Sequence, residues 1–259
     1  SFKRDAAYNL KERVKLRCGE ELSKRFDSLT FDSFAKQILD RFKEALPKEY
    51  RISGEYEVIT NESLIHDYYK IADEEYYNYT TKNEILEFHA AEQLVLSNNS
   101  KEDQIRKAVW QRMLGASKSK LSFKMIMRLA ELIIKSNPII RKYLQKTYHF
   151  VFLDEFQDTT KIQYDFFRTC FRDSETLFTA VGDDKQRIML WAGAKKTIFE
   201  DFVADNNASR IPLAMNFRCA PRLVTLLNHL TEHLLRKRDF ATPSPKWTPE
   251  QGECNVWIF

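Results

Sequence analysis

Apolar residues along this chain fall into two kinds of run, and their alternation sets out an α/β architecture. The unbroken runs Phe150-Val151-Phe152-Leu153 and Leu177-Phe178-Thr179-Ala180-Val181 lack the period-2 alternation of a half-exposed strand. They predict strands buried on both faces, as parallel strands covered by helices are. Other runs have helical spacing. Ala6, Ala7, Leu10 and Val14 fit an amphipathic helix with Lys and Arg on its other face. Phe123, Ile126, Met127, Ala130, Ile133 and Ile134 make the apolar face of a helix from Leu121 to Ser136, stopped by Asn137-Pro138 and expected to pack under the sheet. A second helix, Pro138 to Lys146, delivers the chain to the first strand, and Ile162 to Phe167 is a crossover helix to the second. Such a connection should be right-handed.

From about Glu55 to Ser117 strand-like runs vanish, Tyr and Glu rise, and helical spacings such as Ile85, Leu86, Leu94 and Val95, or Ile105, Val109 and Met113, dominate. This predicts an all-helical insertion. Tyr68, Tyr69, Tyr76, Tyr77 and Tyr79 have faces on which bases could stack. The surrounding Asp67, Asp73, Glu74 and Glu75 would repel phosphates, so a structural role is the stronger reading.

Composition adds bounds. With 259 residues, 43% hydrophobic, 6 Gly and 7 Pro, the chain reads as soluble, helix-rich and globular, with one large or two small domains. No apolar run approaches the roughly 18–20 residues of a membrane span, and the N-terminus does not read as a signal peptide. Cys18, Cys170, Cys219 and Cys254 lack C-x-x-C spacing, which argues for a reducing cytoplasm and against structural zinc. His229 and His233 lie four apart but outside an H-E-x-x-H sequence, so they read as a surface or partly buried pair. A net charge of +4 and a pI of 8.7 are compatible with a phosphate-backbone partner without identifying one.

The chemistry begins where the first apolar run ends, in Asp154-Glu155 and then Gln157-Asp158. Ligands of open α/β sheets gather at the carboxyl ends of strands. A carboxylate there can hold Mg²⁺ through water while its neighbour orients or deprotonates an attacking water. Alone, a strand ending in Asp-Glu is more often a solvated terminus, so the context decides. The second run empties into Gly182-Asp183-Asp184-Lys185-Gln186-Arg187-Ile188-Met189-Leu190-Trp191-Ala192-Gly193-Ala194, and Ile211-Pro212-Leu213 leads to Asn216-Phe217-Arg218.

In this order and spacing the three segments resemble the motifs D-E-x-Q-D, G-D-x-x-Q-x-I-x-x-x-x-G-A and N-[YF]-R of the UvrD/Rep/PcrA family of superfamily 1 DNA helicases. Ser1-Phe2-Lys3-Arg4-Asp5-Ala6-Ala7 resembles the family's T-F-T-N-K-A-A, and Thr30-Phe31-Asp32-Ser33-Phe34 its T-F-H-S-F. The resemblance implies a RecA-like (P-loop NTPase) parallel sheet flanked by helices. Residues 1–54 and 118–212 would form domain 1A, residues 55–117 a helical 1B-like insertion, and residues 213–259 the start of domain 2A.

It further implies an ATP-dependent helicase or translocase moving 3′ to 5′ on single-stranded DNA and unwinding duplex, with ATP and Mg²⁺ as cofactors. On that pattern Asp154 holds Mg²⁺, Glu155 activates water, Gln186 senses the γ-phosphate, Arg218 stabilises transferred charge and Phe217 stacks on adenine. Phe2, Thr30, Phe31, Gln157 and Trp191 fall at DNA-binding positions, and Gln157 with Asp158 would couple the nucleotide site to the DNA side. Departures are Lys3 and Arg4 in place of small polar residues, Asp32 for His, Met189 for Tyr and Ala192 for Arg, with Arg187 as a candidate compensating cation and Met189 equally readable as a core filler.

One family element is missing from the sequence. No two of Gly19, Gly54, Gly115, Gly182, Gly193 and Gly252 are spaced as G-x-x-x-x-G-K-[ST] requires, so the loop that cradles phosphates is not in this chain. The expectation is an excerpt that starts inside domain 1A, is inactive as an ATPase alone, and ends in Val256-Trp257-Ile258-Phe259 as the opening of a further strand. Two alternatives stay open: a RecB/AddA-type motor joined to a nuclease or other protein partner, and a DNA- or protein-binding fragment with no turnover.

Overall fold

The computed structural model describes residues 4–71, 81–90, 94, 100–190, 193–235 and 240–253. The chain forms two compact units, Ser1–Gly182 with Met189–Lys195, and Asp183–Ile188 with Lys196–Phe259. The described strands form three separate two-stranded parallel sheets within a mostly helical chain. No helix among the described residues is long and apolar enough to cross a membrane.

In the first unit, α1 (Arg4–Ser23) is kinked where Gly19 takes φ +82. The amphipathic expectation for this helix is corrected: Ala7 is buried, but Leu10 is exposed and Val14 only half-buried. Charged residues recur on all sides of α1, leaving too narrow an apolar stripe to seat it. Helix α2 (Phe31–Phe42) buries Ala35, Ile38 and Leu39 and tightens into a 3₁₀ turn, Lys43–Ala45, before Pro47.

Strand β1 (Tyr56–Val58) pairs in parallel with β2 (Ser119–Leu121), Tyr56 opposite Ser119 and Val58 opposite Leu121. Two expectations are corrected here. Strand structure does not vanish after residue 54, and the helix assigned from Leu121 begins at Phe123. Three-residue strands are too short to show a period, and this pair is held by tertiary bonds, Ser53 N to Ser119 Oγ at 2.9 Å and Ser53 Oγ to the Ala116 carbonyl at 2.9 Å. Helices α3 (Asn61–Ile71), α4 (Lys82–Phe88) and α5 (Lys101–Leu114) lie between these strands in sequence. Thr81 and Glu84 form a capping box on α4, and Ser100 caps α5.

Helix α6 (Phe123–Ser136), capped by Ser122, buries Ile126, Met127, Ala130, Ile133 and Ile134 as its spacing predicts. Phe123 is exposed instead, and the principal neighbours of α6 are α2 and α8 (Lys161–Phe171) rather than strands. Helix α7 (Pro138–Thr147) follows, with Pro at its first position. Strand β3 (Phe150–Leu153), α8 and β4 (Leu177–Ala180) then realise the strand-helix-strand order, with β3 and β4 parallel and Phe150 opposite Leu177.

The expectation that these strands are buried on both faces is corrected. Phe150, Phe152 and Leu177 are each 63% exposed. Among the described residues, helices cover the face that carries Phe178, which sits 5.1 Å from the Phe167 ring and 6.1 Å from that of Phe171. Phe34 joins this cluster from α2, stacking on Phe171 and contacting Tyr148 and Phe166. The aromatic layer seats β4 against the helices through Phe178.

In the second unit, α9 (Ile198–Asn206) buries Ile198 and Phe202. Strand β5 (Met215–Asn216) pairs in parallel with β6 (Thr242–Pro243) across α10 (Pro221–Leu235).

Candidate functional site

Strand β3 ends at Leu153, whose carbonyl accepts the Val181 N–H at 2.8 Å, and the chain then turns sharply. Glu155 makes the turn in the left-handed region, φ 50 and ψ 43, a conformation that costs a non-glycine residue about 1–2 kcal/mol. Phe156 N donates to the Val181 carbonyl at 3.0 Å and Asp158 N to that of Glu155 at 3.0 Å, closing a 3₁₀ turn over Phe156–Asp158. Phe156 is fully buried against Tyr164, which anchors the turn from below. Asp154 and Glu155 are exposed at the carboxyl end of β3.

Gln157 is only 1% exposed, and its Nε2 donates to Glu155 Oε2 at 2.8 Å. Asp158 is buried beside it. The chain leaves the turn through Thr159, whose carbonyl accepts Lys195 N at 3.0 Å, and Thr160, which forms an antiparallel bridge with Ala194. Lys195 also lies over the Tyr164 ring at 5.7 Å. The carboxylate turn and the Gly193-Ala194-Lys195 segment are therefore one backbone-paired assembly. Sequence reasoning missed this pairing, because nothing in either segment signals a bridge.

Thr30 is the N-cap of α2: its Oγ1 accepts Ser33 N at 3.1 Å and donates to Ser33 Oγ at 2.9 Å. Phe31 and Asp32, in the first turn, are half-buried. Tyr68 is buried in the core, in line with the structural reading of the tyrosines, and Tyr69 is half-buried. Phe2, Trp191, Ala192 and Tyr76, Tyr77 and Tyr79 lie outside the described residues.

Within the second unit, Gln186 ends a 3₁₀ turn, Asp184–Gln186, and its Nε2 donates to Asp183 Oδ2 at 3.0 Å. Lys185 meets the other oxygen through its backbone N–H at 3.0 Å and its ammonium at 3.2 Å. Burial pushes the Asp183 carboxyl up, but the hydrogen bonds from Gln186 and Lys185 outweigh it and hold the group below the usual carboxylate range. Arg187, weighed as a compensating cation, donates to the Lys196 carbonyl and lies 5.8 Å from the Phe199 ring. Met189, in the first unit, is half-buried and its carbonyl accepts Ala194 N at 3.2 Å.

Asn216 Oδ1 accepts the backbone N–H of both Arg218 and Cys219 at 2.9 Å, a turn built by one side chain. It presents Phe217, 60% exposed, and Arg218, whose side chain makes no hydrogen bond or ion pair among the described residues. Asn216 as turn-former was legible from its residue type but was not singled out. His229 and His233 are an exposed pair with ring centroids 4.2 Å apart.

The end of β3 offers one hard oxygen donor. Asp154 offers an exposed carboxylate with no hydrogen bond among the described residues, which contain no group of three or more His, Cys, Asp or Glu able to hold a metal. A cation held there would keep most of its ligands as water, the habit of Mg²⁺.

The sequence profile described as UvrD/REP helicase N-terminal domain matches residues 1–207. The chain is 25% identical over 263 residues to a probable DNA helicase II homolog of Mycoplasma pneumoniae, covering 92% of the chain and 36% of that protein. It is 34% identical over 106 residues to DNA helicase II of Haemophilus influenzae, 41% of the chain and 14% of the relative. It is 32% identical over 128 residues to the ATP-dependent DNA helicase Rep of Escherichia coli, 47% of the chain and 18% of the relative. The chain thus spans 36% or less of the length of these relatives. With the paired carboxylates at the end of β3 and a profile match covering most of its length, the chain belongs to the UvrD/REP helicase N-terminal domain family.

Proposed function

We propose that this chain is part of the motor of an ATP-dependent DNA helicase or translocase, acting 3′ to 5′ on single-stranded DNA and unwinding duplex. The observation that carries the reading is the carboxylate turn: two exposed acids at the carboxyl end of a parallel strand, one with its side chain held by Gln157. The names of the relatives, DNA helicase II and Rep, agree with it. The fold proposed is RecA-like, with domain 1A in residues 1–54 and 118–212, a 1B-like insertion in 55–117 and domain 2A opening at 213. That division is proposed from motif order alone.

MgATP would supply the phosphoryl group and the cation that neutralises its charge. Asp154 binds the cation. Glu155 accepts the proton of the attacking water and Gln186 reads the γ-phosphate. Arg218 stabilises the charge on the transferred group, and Phe217 provides an apolar face for adenine. Thr30, Phe31, Phe2 and Trp191 are assigned to single-stranded DNA. Phosphate cradling is assigned to no residue of this chain.

Glu155→Gln in the full-length protein tests the reading. Hydrolysis should be lost with ATP binding retained; near-normal turnover would refute the assignment. A second reading, a motor within a helicase-nuclease assembly, is favoured by 34% identity over 119 residues to RecBCD enzyme subunit RecB of Chlamydia muridarum. Nuclease activity copurifying with the full-length protein would select it.

A further inference from the structure

The geometry points to Gln157 as the positioning residue that aims Glu155 during hydrolysis, an inference that rests on the assignment of Glu155 as the water-activating group. Glu155 is exposed, and a free glutamate side chain gives up as much as about 1.5–2 kcal/mol of rotamer entropy when it is held in one orientation. The hydrogen bond that holds it is the 2.8 Å contact from Gln157 Nε2 to Oε2.

The two partners are unequal. Gln157 is 1% exposed and sits between buried Phe156 and Asp158 in a turn tied to β4 through the Val181 carbonyl. Its amide is the fixed end of the bond, and the Glu155 carboxylate is the end being fixed. The left-handed backbone of Glu155 makes the contact local, between side chains two residues apart that would stand roughly 7 Å apart along a strand. An amide also suits the task chemically. It holds one oxygen without a positive charge, which would weaken the carboxylate as a base. Oε1, which has no hydrogen bond among the described residues, remains available to accept a proton from water.

The test uses Gln157→Met, which keeps volume and removes the donor, and Gln157→Glu, which keeps shape and replaces the donor with a repelling carboxylate. In the full-length protein both should lower kcat by about 10–100-fold, the scale of a misplaced catalytic group, with KM for ATP and affinity for single-stranded DNA within twofold of wild type. A kcat within twofold of wild type in Gln157→Met overturns the proposal. So does a loss confined to DNA affinity or DNA stimulation, which would place Gln157 on the DNA side.

Glu155→Gln in the same assay separates the two claims. Normal turnover there refutes the role of Glu155 itself, whereas silence there with a normal Gln157→Met refutes only the positioning. A readout without ATP uses the 259-residue chain labelled at its glutamine amides. The Gln157 side-chain amide signals should be shifted and slow to exchange, and should move in Glu155→Ala while the other glutamines stay in place. Unmoved signals overturn the proposal even if a Gln157 variant fails to fold.

Discussion

The imidazole of His89 and the hydroxyl of Ser122 lie 2.9 Å apart in the buried seam between α4 and the start of α6. Nδ1 faces the carbonyls of Ile85 and Leu86 at 3.2 and 3.1 Å. Carbonyls only accept, so Nδ1 carries the proton and Nε2 accepts the Ser122 O–H. Ser122 Oγ in turn accepts Met125 N at 3.2 Å and caps α6, while Trp110 Nε1 donates to the His89 carbonyl at 2.8 Å. His89 therefore joins α4 to α6 through its neutral imidazole and to α5 through its backbone carbonyl.

Burial, followed by the charge of Lys124, pushes the His89 pKa down to about 4. Its unfolded value is about 6.5. The folded state thus binds fewer protons, and the contribution of His89 is fully present above pH 6.5 and is lost as pH falls toward 4. Between pH 7 and pH 5 the loss should be on the order of 2 kcal/mol. Urea unfolding at the two pH values measures it, and His89→Gln should flatten the dependence; an equal slope in that variant would refute the assignment.

Glu131 and Arg128 are 4% and 3% exposed and 2.5 Å apart on α6. Burial raises the Glu131 carboxyl, but the Lys135 hydrogen bond and the Arg128 charge reverse this and hold it below its ordinary range. Thr169 also donates to it, at 2.9 Å. Glu131→Leu should cost about 3–5 kcal/mol, because Arg128 keeps its burial and loses its close partner. Adding Arg128→Met should restore most of that loss. Denaturant midpoints of the single and double variants check the sign.

Thr30→Ala should cost about 1 kcal/mol through the lost cap of α2. Thr30→Asp keeps a capping oxygen and adds negative charge. Its stability should stay near wild type while affinity for single-stranded DNA falls. An Asp variant that binds DNA normally would remove Thr30 from the proposed interface.

Phe156 and Phe217 offer a contrast between core and site. Phe156→Ala opens a fully buried position and should cost about 3–5 kcal/mol. Phe217→Ala removes an exposed ring and should change stability by no more than about 0.5 kcal/mol. If Phe217 meets adenine, its KM for ATP rises in the full-length protein with the melting temperature unchanged. A melting temperature that falls with the KM would place the ring in packing instead.

Much of the scaffold was legible because it rests on local rules. The apolar stripe of α6, the Pro start of α7 and the strand-helix-strand order around α8 all follow from spacing and from Asn137-Pro138. What escaped were features made between distant segments. β1 and β2 are three residues each and join across the whole of residues 59–118. The exposure of Phe150 and Phe152 likewise depends on what covers the sheet, which no run of apolar residues encodes.

The sequence by itself determined which residues are candidates for the proposed chemistry: paired acids after an apolar strand, and Asn216-Phe217-Arg218 after Ile211-Pro212-Leu213, because residue type and spacing are local properties. Only the tertiary structure decided how they are arranged. It turned Glu155 into the left-handed region, buried Gln157 so that its amide meets Glu155, and paired Thr160 with Ala194. Those outcomes depend on burial and on hydrogen bonds between segments brought together by folding, and such contacts exist only once the chain has packed.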